Sequence, residues 1–238
     1  MNTSVATRAS IAGSGLSQII HKALKLIPYS LSSDMFTQSA RELEKQGPTL
    51  LIIYHSGVDT LAHRYGPYSE EETFELTSIE HNLKNFISNL SEKTKKETLM
   101  LLTADHGVAE TRKTIYLKDV LEVFSRIMLP PVGDSRSAFL FSKPKQQDAL
   151  AEAFRKNIAG FKLFSSSELI NKGAFGQTTN LEGLKEKIGD LTALGLRDNA
   201  LNYPFFEDDR FHPMLGTHGG MTREEMLIPF LSIRLSQL

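Results

Sequence analysis

Two short runs, Thr49-Leu50-Leu51-Ile52-Ile53-Tyr54 and Leu99 to Thr103, constrain the fold of this chain more than any other feature. Both are almost continuously apolar and the first is partly β-branched, the pattern of a strand buried on both faces. Gly47-Pro48 and Ser56-Gly57 bound the first, and the second ends in the turn Asp105-His106-Gly107. Between them Ser69-Glu70-Glu71-Glu72 has capping-box form, with acidic side chains opposing the positive helix end. Ile79, Leu83, Phe86, Ile87 and Leu90 then continue along one helical face. Strand, helix, strand in this order predicts an α/β fold with a mostly parallel central sheet flanked by helices.

The flanking sequence is less sharply patterned. Leu16, Ile19, Ile20, Ala23 and Leu24 recur at helical spacing, and Asp34 is placed to cap a second helix running towards Gly47, so the first forty-odd residues read as helical. After Gly107 the signals predict strands at Ala138 to Phe141 and Phe161 to Phe164, and helices at Gln146 to Asn157 and Leu181 to Ile188. Asp190 to Leu194 reads as a return to the main sheet, and Leu227 to Ile233 as a closing strand with Pro229 at an edge or first position. The division expected is 1–110 for the first part of the core, 111–189 for an inserted cap-like β/α subdomain, and 190–238 for the return to the core.

Composition narrows the chemistry. With 27 Lys and Arg against 28 Asp and Glu, the chain has no bulk attraction for nucleic acid or an anionic membrane, so neither is expected as a partner. The absence of cysteine removes disulfides, thiolate ligands and a Cys nucleophile, and leaves His and Asp as the ligand set. Met1 to Ile20 has no continuous apolar core of a signal peptide, and no later run approaches the ~18 residues that span a bilayer. A soluble chain in the cytoplasm is the expectation.

Three motifs carry the chemistry. Asp59 and His63 stand four apart, which on a helix places carboxylate and imidazole on one face, as two ligands of a single ion require. The plainer reading is an N-capping Asp followed by an unrelated surface His. Asp105 and His106 follow a strand, where neighbours in a loop can turn to one metal and Gly107 permits a sharp exit, though a capping Asp beside a solvated His has the same sequence. Gly216-Thr217-His218-Gly219-Gly220 puts an imidazole where backbone can approach a ligand closely; on its own it is also an ordinary glycine turn. Together the three supply hard and borderline ligands suited to Zn or Mn. His55 and His212 are read as structural or outlying histidines, His21 and His81 as helix-surface ones, and Arg136 as a loop salt-bridge partner in preference to a phosphate clamp.

Val58-Asp59-Thr60-Leu61-Ala62-His63-Arg64-Tyr65-Gly66-Pro67, Thr103-Ala104-Asp105-His106-Gly107 and Gly216-Thr217-His218-Gly219-Gly220, in this order, resemble the alkaline phosphatase superfamily, in its type I phosphodiesterase/nucleotide pyrophosphatase branch. Glu224 to Phe230 resembles the same branch, so the likeness covers about Thr49 to Leu238. The resemblance implies an alkaline-phosphatase-like sheet and two divalent ions, Zn or Mn, with Asp59, His63 and His218 on one and Asp105 and His106 on the other. It further implies a phosphoester or nucleotide-like small-molecule substrate, cleaved by in-line displacement with a Thr or Ser nucleophile.

The sequence departs from the family in one respect. Members carry an earlier segment that supplies a further metal-binding Asp and the nucleophile, and no such segment is recognisable before Thr49; Thr3, Ser4 and Thr7 read as a frayed terminus. The expectation is therefore the C-terminal portion of a metal-dependent phosphodiesterase/nucleotide pyrophosphatase with an incomplete sheet, inactive or weakly active alone and open to oligomerisation through the face the missing segment leaves. The alternatives are a phosphomutase or phosphonate hydrolase of the same superfamily, and a noncatalytic metal-binding α/β module.

Overall fold

The computed structural model describes residues 1–22, 24–176, 180–206 and 213–238, so Ala23 and His212 lie outside the described residues. The chain forms two compact units. One comprises Met1–Leu61, Tyr68–Thr103 and Pro229–Leu238, the other Ala62–Pro67 and Ala104–Ile228. No helix among the described residues is long and apolar enough to cross a membrane.

The first unit is built on β1 (Asn2–Arg8), β2 (Lys25–Tyr29) and β3 (Thr49–Ile53), which form a parallel sheet in the order β2-β1-β3. Val5 lies between Leu26 and Ile52 in register. The helices Ser32–Leu43 and Glu70–Ser88 cover one face, where Met35, Phe36, Phe86 and Ile87 pack on Ala6, Ile27, Leu51 and Ile53. β4 (Leu99–Thr103) pairs antiparallel with the closing strand Phe230–Arg234, which starts directly after Pro229 as a strand's first position allows.

Three expectations are corrected here. The N-terminal segment is neither helical nor frayed: β1 is the middle strand of the sheet, with Val5 and Ala6 fully buried. Its β-branched Thr3, Val5 and Thr7 suit a pleated surface, and its polar Ser4 is satisfied by a hydrogen bond to Glu42 Oε1 at 3.0 Å, so burial does not need a long apolar run. Of the early helical stripe only Gly15–Ile20 is helical, with Leu16, Ile19 and Ile20 exposed, while Lys25–Tyr29 is an edge strand that tolerates Pro28. Asp34 is not the N-cap residue, which is Leu31, but caps the helix from its third position. It stands in the first turn, where its carboxylate accepts the N–H groups of Ser30 and Leu31.

Neither of the two defining runs is buried on both faces: each is at most half-buried on one, and Leu102 is 40% exposed. Leu51, Ile53 and Met100 pack on the helix layer, whereas Leu50, Ile52, Leu99 and Leu101 point away and are between 42% and 58% exposed.

In the second unit the strands Val132–Asp134, Ser137–Leu140, Leu191–Gly195 and Phe161–Ser165 form an antiparallel sheet in that order. The helix Gln147–Asn157 buries Leu150, Ala151, Ala153 and Phe154 against it, together with Leu117, Val123, Leu140 and Ala193. Leu191–Gly195 therefore does not return to the parallel sheet. As an interior strand it is buried on both faces, and an apolar run of that kind does not specify which sheet it joins. Two small pairings complete the unit: Lys113–Tyr116 runs parallel to Asn199–Asn202, and Ala109–Glu110 antiparallel to Gly216–Thr217.

Candidate metal centre

The shortest of these pairings does the most to assemble a site. With Ala109 opposite Thr217 and Glu110 opposite Gly216, the turn carrying His106 and the loop carrying His218 leave the same two-residue ladder. A buried contact of 2.6 Å between the hydroxyls of Thr111 and Thr217 fastens it. The His106 and His218 rings stack, with centroids 3.6 Å apart and planes at 19°.

His63 reaches the same place from the helix Gly57–Tyr65, which has Asp59 in its first turn and His63 in its last. The helix stops at Gly66, whose φ of 89° is a conformation that glycine adopts without strain and whose N–H closes on the Ala62 carbonyl. Leu215 N–H donates to the His63 carbonyl at 2.8 Å, and the His63 and His218 rings lie 5.1 Å apart between centroids. Gly216 has to be glycine: a Cβ there would stand 2.4 Å from the Ala62 carbonyl oxygen.

Hydrogen bonding fixes which nitrogens face a ligand. His63 Nδ1 lies 2.8 Å from the Gly216 carbonyl and His106 Nδ1 lies 3.0 Å from the Gly107 carbonyl. A carbonyl only accepts, so each Nδ1 carries a proton, and Nε2 of the neutral ring is then the nitrogen able to bind a metal. Asp105 is at the rim, its carboxylate accepting the His106 N–H at 3.2 Å and standing 3.7 Å from His106 Nε2. The second unit thus gathers three imidazoles and one carboxylate, and Asp59 precedes His63 by one helical turn. This donor set suits a borderline divalent cation such as Zn or Mn.

Two residues behind the rings were missed as contributors. Arg136, fully buried, donates through Nε and Nη2 to the two carboxylate oxygens of Glu225 at 2.6 and 3.0 Å, and through Nη1 to the Asn199 carbonyl at 2.9 Å. The salt bridge expected of Arg136 is therefore buried in the unit. Burial pushes the Glu225 carboxyl up, but hydrogen bonds from Arg136, Thr222 and Gly220 outweigh it and hold it below the usual range. Thr222-Arg223-Glu224-Glu225 is a legible capping box; nothing in the sequence marks Arg136 as buried.

His55 is a structural residue in the first unit. Its Nδ1 accepts the Gly57 N–H at 3.2 Å, and its Nε2 faces Ser32 Oγ at 3.2 Å and Glu75 Oε1 at 3.3 Å.

The family model for type I phosphodiesterase / nucleotide pyrophosphatase matches residues 19–219. The chain belongs to this family. Among solved structures, murine ectonucleotide pyrophosphatase/phosphodiesterase 5, as an inactive form in complex with AMP, is 16% identical, with a TM-score of 0.71 over 97% of this chain and 59% of the other. The human protein of the same name is 17% identical, with a TM-score of 0.71 over 97% and 60%. Phosphonoacetate hydrolase from Sinorhizobium meliloti, in complex with phosphonoformate, is 15% identical, with a TM-score of 0.61 over 97% and 64%. These likenesses establish the fold, and the chain spans about 60% of the length of the structures it matches. No curated protein sequence matches it significantly.

Proposed function

We propose that this chain supplies most of the metal-binding half of a phosphoester-cleaving centre, acting on a nucleotide-like or related phosphodiester. The observation that carries the reading is the convergence of His63, His106 and His218, with the Nδ1 atoms of His63 and His106 tied to carbonyls. Fixing a ring through Nδ1 orders Nε2 in advance, so little freedom is lost when a cation binds. In this reading Asp59, His63 and His218 hold one divalent ion and Asp105 and His106 the other, Zn or Mn in each case. Bound ions would supply Lewis-acid stabilisation of the phosphoryl oxygens and activation of the attacking hydroxyl.

The nucleophile and a further carboxylate belong, in this proposal, to polypeptide outside residues 1–238, which agrees with a chain about 60% as long as the structures it matches. Neither Ser4 nor Thr7 is a candidate, because both are buried in the parallel sheet. The 238 residues alone are then expected to bind metal and to hydrolyse a nitrophenyl phosphodiester poorly or not at all with Zn or Mn. Turnover at enzyme-like rates by the purified chain would overturn the missing-nucleophile part of the proposal.

A second reading, a phosphonate hydrolase, draws on the likeness to phosphonoacetate hydrolase, which has the lower TM-score of 0.61. Comparing phosphodiester with phosphonate substrates, once the remaining polypeptide is supplied, separates the two.

A further inference from the structure

Glu225 is bound to both of the motifs that bring His106 and His218 together. Its backbone carbonyl accepts the N–H of Gly107, next to His106, at 2.8 Å. Its carboxylate accepts the N–H of Gly220, two residues after His218, at 2.8 Å, and both the N–H and the hydroxyl of Thr222, at 3.1 and 2.7 Å. The approach is close on each side: a Cβ on Gly107 would lie 2.0 Å from the Glu224 carbonyl oxygen, and one on Gly220 would lie 2.8 Å from Glu225 Oε1.

A carboxylate 1% exposed is tolerated because the Arg136 guanidinium grips it with two parallel hydrogen bonds. Arg136 is itself held by the Asn199 carbonyl and returns its own carbonyl to Gly195 N–H, so it belongs to the rigid antiparallel sheet. Stability alone does not account for the arrangement, because a buried ion pair is often replaced by apolar residues of similar volume at little cost. What apolar residues cannot replace is the acceptor that Gly220 N–H needs.

We infer that Glu225, locked by Arg136, is a positioning residue that holds the His218 loop against the His106 turn and so sets the stacked geometry of the two imidazoles. Its relevance to cation binding rests on the function proposed above; its effect on the rings does not. Both side chains are buried, and neither is assigned as a ligand or a catalytic group.

The test uses the whole chain with 13C-labelled histidine, comparing wild type with the apolar double variant Arg136→Met/Glu225→Leu and with Glu225→Gln, which preserves volume if the double variant does not fold. Thermal unfolding of the metal-free proteins reports the fold, the ring-to-ring nuclear Overhauser contact between His106 and His218 reports the geometry, and titration with Zn2+ reports affinity. The double variant is expected to melt within about 5 °C of wild type, to lose the His106–His218 contact, and to bind Zn2+ at least ~10-fold more weakly, as loss of a group that orients a ligand does. Glu225→Gln, whose amide oxygen can still accept from Gly220 N–H while its NH2 group faces the donors of Arg136 and Thr222, is expected to change the ring contact and affinity in the same sense but by less. A folded variant that keeps the ring contact and binds Zn2+ within about twofold of wild type would overturn the inference. If wild type bound no Zn2+ while the ring contact still depended on Glu225, the metal reading would fail and the positioning role would stand.

Discussion

His63 Nδ1 donates to the carbonyl of Gly216, 153 residues later in the chain, across 2.8 Å. The bond ties the imidazole at the end of one helix to the short ladder from which His218 departs, and it makes the glycine part of the site's construction. Packing of backbone against helix, in addition to ligand identity, thus decides whether the three rings meet.

Gly216→Ala and Gly107→Ala should both destabilise the protein, because the added methyl would lie 2.4 Å and 2.0 Å from backbone carbonyl oxygens. Overpacking of this kind costs about 1–3 kcal/mol, and neither neighbour is a flexible side-chain end. Urea midpoints measure it; a midpoint unchanged in either variant would show that the backbone there yields freely.

Glu42 should make the first unit acid-sensitive. Lys25 and Lys45 beside it, with Ser4 Oγ, hold its carboxyl down to about 2 from the ordinary 4.5. A depressed carboxylate contributes stability that is fully present above about 4.5 and is lost as pH falls towards about 2. Both lysines are half exposed and screened, which limits the effect to roughly 1–3 kcal/mol. Glu42→Gln should flatten the stability profile over that window, and an unchanged acid limb would contradict the assignment.

His55 should add a second acid-sensitive step at higher pH. Burial pushes its imidazole below the ordinary 6.5, opposed by Glu75 and assisted by Arg8. With the folded value below the unfolded one, its contribution is fully present above about 6.5 and declines as pH falls through the lowered folded value. Protonation would also cancel the acceptor used by Gly57 N–H. In histidine-resolved NMR titration His55 should titrate below an exposed histidine; titration above it would be the opposite of what burial requires.

The parts of the fold that were legible in sequence are those whose signals are local. The helix Glu70–Ser88 has a capping Ser69, an acidic first turn and a sustained apolar stripe, and β3 and β4 are apolar runs ending in turns. β1 was not legible because only Val5 and Ala6 among its residues are unambiguously apolar, and its burial comes from strands and a helix elsewhere in the chain. The five ligand candidates could be named from their motifs, but the stacking of His106 on His218 depends on a ladder of two residues a side, too short to leave a periodic pattern. Arg136 was hidden for a different reason: a charged residue after a turn is ordinarily solvated, and its burial follows from Glu225, 89 positions away.

Zn2+ titration of the metal-free chain, with His63→Ala and His218→Ala alongside, tests the proposed metal centre most directly. Wild type should bind the ion with a fitted stoichiometry, and each folded variant should lose that binding step or weaken it by at least ~10-fold, because removing one protein ligand leaves a poor site. The same stoichiometry and affinity in all three proteins would mean that these imidazoles do not form a metal centre.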